Sequence, residues 1–127
     1  MNTKKKLGIW LDHSSASYFD ASSPSEGWST QSKFTHEVKE EAIHKGENHM
    51  HTKQQQLQEA YYKEIGQEIL KYDHVLLFGP TDAKSELYNY LQKDHHFKDI
   101  KFDIESSDKM TDNEKQALVR DHFSPQD

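Results

Sequence analysis

His74-Val75-Leu76-Leu77-Phe78-Gly79-Pro80-Thr81-Asp82-Ala83-Lys84-Ser85-Glu86-Leu87 is the stretch on which the fold turns. Its first half is a continuous apolar run with no polar alternation. Such a strand is buried on both faces, as at the centre of a sheet covered by helices. Gly79-Pro80 ends the run. Thr81 or Asp82 then caps a helix carrying Ala83, Leu87, Tyr90 and Leu91 on one face. A buried strand running through a tight turn into a helix is half of a βαβ unit, so the chain is an α/β protein.

The elements on either side agree. Upstream, Leu57, Tyr61, Ile65 and Ile69 recur every fourth residue, with Ala60 beside them. That spacing predicts an amphipathic helix from near Thr52 to around Tyr72. Leu7 to Leu11 and Ala16 to Asp20 are short apolar runs split by Asp12-His13-Ser14-Ser15, a hairpin pattern. Trp28 to Phe34 is a third strand. Downstream, Ile100 to Ile104 alternates strictly and predicts a half-exposed strand. Thr111-Asp112-Asn113-Glu114 forms a capping box opening a last helix, with Ala117, Leu118 and His122 or Phe123 on its face. The predicted order is βββ-α-β-α-β-α: a mixed sheet of about five strands, an antiparallel meander followed by βαβ units, flanked by helices. The whole chain, residues 1–127, is expected to be one domain.

Composition sets the outer limits. Hydrophobic residues make up 32% and mean hydropathy is -1.08. Leu, Ile, Val and Phe together fall just under about a fifth of the chain, near the border with disorder. That average hides an uneven distribution. The polar excess sits in the lysine-rich start, in residues 35–56 and in the last four residues. A net charge of -6 argues against binding nucleic acid by bulk phosphate neutralisation, and DNA is not expected as a partner. With no cysteine there is no disulfide framework and no thiolate metal site. No apolar run approaches the roughly 18 residues that span a bilayer. The run after Lys4-Lys5-Lys6 is too short for a signal peptide core, so a cytoplasmic location without membrane attachment is the expectation.

Three places carry a family likeness. Gly8-Ile9-Trp10-Leu11-Asp12-His13-Ser14-Ser15-Ala16, the stretch Val75 to Leu87, and Ile100 to Ile104 with its following polar turn appear in the family's order. Together they resemble the middle domain of eukaryotic and archaeal class-I peptide-chain release factors and Pelota-type proteins, which also occurs in small bacterial release-factor-like proteins. The resemblance implies a ribonuclease-H-like mixed α/β fold and a ribosome or tRNA partner. In release factors a Gly-Gly-Gln tripeptide before the long helix promotes peptidyl-tRNA hydrolysis. Here that loop falls within Glu40 to Gln56 and has no Gly-Gly-Gln; Lys45-Gly46-Glu47-Asn48 is the nearest glycine-containing stretch. The resemblance therefore implies a non-catalytic, translation-associated binding or regulatory module without the hydrolase activity. Its contact surface is the polar segment at about 36–56, with Lys45, Gly46, Glu47, Asn48, His49, His51 and Lys53 as partner-binding residues.

Other constellations are weighed against plainer roles. His44, His49 and His51 lie near Glu40, Glu41 and Glu47, but their spacing matches no ligand signature, so no metal site and no cofactor are expected. Gly79, Thr81, Lys84 and Ser85 frame a helix N-terminus suited to an anion, although Asp82 places a negative charge there. Asp12 ends the first strand, where a divalent-metal phosphodiesterase on a ribonuclease-H-like sheet would need a carboxylate; Asp20, Asp82 and Asp103 are its candidate companions. An aspartate opening a tight turn is equally what turn chemistry asks for. A third alternative is a small homo-oligomeric scaffold pairing through the edges of the meander. No Gly-x-Ser-x-Gly elbow surrounds Ser14-Ser15, so acyl-transfer chemistry is not expected and no catalytic residue is assigned.

Overall fold

The structure of the protein, a computed structural model, describes residues 5–32 and 47–124, with backbone alone for 47–53. Strands β1 (Lys6–Leu11), β2 (Ser15–Asp20) and β3 (Trp28–Gln31) precede helix α1 (Glu47–Ile69). Strand β4 (His74–Gly79), helix α2 (Ala83–Gln92), a 3-10 turn (His95–Phe97), strand β5 (Lys101–Ser106) and helix α3 (Asp112–His122) follow. The strands form one five-stranded sheet in the order β3-β2-β1-β4-β5. β1–β2 and β2–β3 pair antiparallel, whereas β1–β4 and β4–β5 pair parallel. The predicted mixed five-stranded sheet is observed, and among the described residues the elements follow the predicted order.

Alternation along the central strands divides the core into two layers. Leu7, Ile9, Leu11, Val75 and Leu77 pack with Tyr61, Ile65 and Ile69 of α1 and Leu87 and Leu91 of α2. Trp10, Leu76 and Phe78 point to the opposite face and meet Val119 of α3. Two glycines make this packing sterically feasible. A Cβ on Gly8 would lie 2.2 Å from Val119 Cγ2, so only glycine lets α3 approach β1 this closely. A Cβ on Gly79 would lie 2.2 Å from the Leu11 carbonyl oxygen, and its φ of +150° also favours glycine.

Several local readings are refined. α1 begins at Glu47 rather than near Thr52, so the second half of the expected polar segment is helix. This opening stretch holds Asn48, His49, His51 and Thr52, which rank low as helix formers, so propensity does not announce it. Apolar periodicity starts later, at Leu57. Tyr62 joins the buried stripe, while Ala60 is exposed. The buried face of α3 is built on Lys115 and Val119, with Ala117 and Leu118 only partly covered. The capping box forms as predicted: Glu114 N donates to Thr111 Oγ1 (3.2 Å) and Thr111 N donates to Glu114 Oε1 (3.0 Å).

Candidate functional site

The hairpin turn after β1 and the first turns of α2 lie at the same edge of the sheet, because β1 and β4 run parallel. In open α/β sheets ligands favour this carboxyl edge. A cleft of about 780 Å³ opens here between α1, α2 and the β1–β2 turn. His13, Gln55, Gln58, Tyr62, Glu86 and Lys93 are among its walls.

Glu86 organises the cleft. Tyr62 donates its hydroxyl to Glu86 Oε1 (2.8 Å), and His13 Nε2 lies 3.2 Å from both carboxylate oxygens. Partial burial works to raise the Glu86 pKa, but hydrogen bonds from Tyr62 and His13 outweigh it and hold the carboxyl below its usual range. Burial pushes the Tyr62 hydroxyl well up, and the neighbouring Glu86 pushes it further. Tyr62 is therefore a neutral donor at physiological pH. With glutamine amides beside this fixed trio and Lys93 at the rim, the cleft offers hydrogen bonds rather than a concentrated charge. It suits a polar, hydrogen-bonding partner.

The predicted partner-binding residues relate to this cleft in part. Glu47, Asn48, His49, His51 and Lys53 lie in the first turns of α1, the helix whose Gln54 and Gln55 line the cleft. Lys45 and Gly46, with His36 and His44, lie outside the described residues.

The predicted anion site is a strand-to-helix turn whose groups are engaged within the fold. Thr81 Oγ1 accepts from Ala83 N (3.2 Å), supplying the cap that the Asp82 side chain does not. Lys84 is buried, and its ammonium donates to the Thr81 carbonyl oxygen. Ser85 N donates to the Asp82 carbonyl (3.0 Å), Ser85 is exposed, and Gly79 packs against Leu11.

The Asp12 carboxylate is committed to its turn. Its Oδ1 accepts from Ser14 N (2.8 Å) and Ser15 N (2.9 Å), while its backbone carbonyl accepts from the Tyr61 hydroxyl (2.9 Å). Among the described residues, Asp12, Asp20 and Asp82 belong to no group of three ligand-type side chains.

Two other groups do converge. Asp94, His95 and His96 are exposed, and Asp94 serves as the N-cap of the 3-10 turn, accepting from His96 N (2.9 Å). His74, Asp103 and His122 come together on the α3 face. His74 Nε2 lies 2.6 Å and His122 Nε2 lies 2.8 Å from the same Asp103 oxygen, Oδ2. Burial tends to raise the Asp103 pKa, but the two imidazole contacts outweigh it and hold the carboxyl below the usual aspartate range. In the sequence, Asp103 stands as a candidate companion of Asp12, and nothing local links it to His74 or His122. Alternation places His74 and Asp103 on one face of their strands, but nothing local in the sequence brings α3 above them.

No family model matches the chain, and no curated protein matches it. Among the described residues, no helix is long and apolar enough to cross a membrane.

Proposed function

We propose that this protein is a non-catalytic, translation-associated binding module of the release-factor middle-domain type. It uses the cleft over the β1–β2 turn and the start of α1 to engage a polar surface of the ribosome or a tRNA. The observation that carries this reading is the contiguity of two features: the helix start where release factors place their functional loop, and a hydrogen-bonding cleft fixed by His13, Tyr62 and Glu86. The antiparallel meander continuing into two parallel strands supports a ribonuclease-H-like assignment within the observed mixed α/β fold. The alternative, a divalent-metal phosphodiesterase built on Asp12, loses ground because that carboxylate closes the hairpin. The likeness to release factors lies in residues and their order.

Sucrose-gradient sedimentation of tagged protein from cells tests the proposal. Co-sedimentation with ribosomal fractions at low salt is expected, increasing when ribosomes are stalled. Complete absence from those fractions under both conditions would sink it.

A further inference from the structure

The His74–Asp103–His122 cluster is assembled by the fold from three separate elements. In the parallel β4–β5 register His74 pairs with Lys101 and Leu76 with Asp103. His74 and Asp103 thus share a face, two residues apart along the strand direction. α3 crosses that face with Val119 seated on Gly8, and His122 follows one turn later on the same side. Phe123 fixes both imidazoles edge-on, with ring centroids 5.0 Å from His74 and 4.9 Å from His122. The side chains of His74, Asp103 and His122 retain 18%, 29% and 22% exposure, so small solutes reach them while their rings and carboxylate stay anchored.

Two features distinguish this cluster from an ordinary ion pair. Both imidazoles direct Nε2 at one carboxylate oxygen, so three donor atoms of metal-ligand type lie within 4.8 Å of one another. Behind His122, Glu105 Oε1 stands 3.6 Å from Nδ1, just beyond hydrogen-bond distance and a small side-chain rotation away from making the bond. A carboxylate facing the second ring nitrogen is the usual outer support of a metal-bound histidine, since it fixes the tautomer that leaves Nε2 free to ligate.

We propose that His74, Asp103 and His122 form a binding site for a borderline divalent cation of the Zn²⁺ class, with Glu105 orienting His122. Two imidazoles and one carboxylate suit zinc, cobalt or nickel, whereas magnesium and calcium take oxygen donors. Zinc bonds to nitrogen and oxygen run about 2.0–2.2 Å. An entering ion replaces the two hydrogen bonds and spreads the donor atoms by about half an ångström, within reach of small side-chain rotations. Three protein donors leave the fourth tetrahedral position to water. The bound ion ties the C-terminal turn of α3 to β4 and β5.

The test is isothermal titration of the full chain with ZnCl₂, together with CoCl₂ titration followed by visible absorption. One equivalent is expected to bind, with a cobalt spectrum of nitrogen and oxygen ligation that zinc displaces. Asp103→Asn and His74→Gln should abolish that equivalent, and Glu105→Gln should weaken it about tenfold or more. His95→Gln/His96→Gln and His49→Gln/His51→Gln should retain it. The histidine ring proton resonances of the unmodified chain give a readout that does not depend on variant folding. One equivalent of zinc should shift those of His74 and His122. No binding by the wild type in excess zinc would overturn the proposal. So would shifts confined to the other histidines, or zinc binding that survives Asp103→Asn and His74→Gln.

Discussion

The two faces of the sheet are built differently. On one, α1 and α2 bury a broad apolar layer in which Ile9, Leu77, Ile65 and Leu87 are fully covered. On the other, α3 is held by a smaller set: Val119 over Gly8, Lys115 with its ammonium 3.8 Å from the Trp10 ring centroid, and the histidine–aspartate cluster. The first face rests on area removed from water and supports the whole domain. The second combines a smaller apolar set, Trp10, Leu76, Phe78 and Val119, with a close fit and a few polar contacts, so its loss should act first on α3. The difference shows which substitutions act globally and which act locally.

Breaking the first face has the largest expected effect. Leu77→Ala deletes a fully buried side chain between the sheet and its two helices, and should cost about 2–5 kcal/mol of global stability. Urea denaturation measures it, and a loss below about 1 kcal/mol would mean the layer is loosely packed. Gly8→Ala is next. Its Cβ meets Val119, so the overpacking penalty of about 1–3 kcal/mol falls on the docking of α3. Amide exchange should accelerate across residues 112–122 while β4 and α1 remain protected. Uniform acceleration would contradict the separation of the faces. Thr111→Ala removes the Oγ1 acceptor for Glu114 N, leaving the Thr111 backbone bond to Glu114 in place, and should produce the same local pattern at about 1 kcal/mol.

The sequence signals that worked were local. The strand, glycine turn and helix from His74 to Leu87 declared themselves through an unbroken apolar run and turn chemistry. The capping box of α3 did so through four consecutive residues. The misses came where the signal was not local. The start of α1 combines weak helix formers, Asn48, His49, His51 and Thr52, with no apolar period, so no local signal marks it. Val119 faces a glycine, a partner that periodicity cannot show. The cleft required His13, Tyr62 and Glu86 to meet across separations of 73 and 24 residues. His74, Asp103 and His122 likewise converge only through strand register and helix crossing. The Asp12 side chain takes the role that turn chemistry asks for, its Oδ1 accepting from Ser14 N and Ser15 N.

The smallest effect belongs to the cleft. The Glu86 carboxyl is held below its unfolded range, so it stabilises the native state above that range and loses the contribution as pH falls through the lowered native value. The side chain is 49% exposed, and screening keeps the contribution under ~1 kcal/mol. The stability advantage of wild type over Glu86→Gln should therefore be present at pH 7 and shrink on acidification below about pH 4. A thermal-melting series reads it; an advantage that grows on acidification would contradict the assignment.

The central claim is that the cleft is the binding surface, and the most direct measurement compares wild type with a Gln55→Ala/Lys93→Glu variant by ribosome sedimentation. Both residues line the cleft, and neither belongs to the buried core. The variant should keep the wild-type melting temperature but leave the ribosomal fractions. A variant that sediments with ribosomes as the wild type does would contradict that claim.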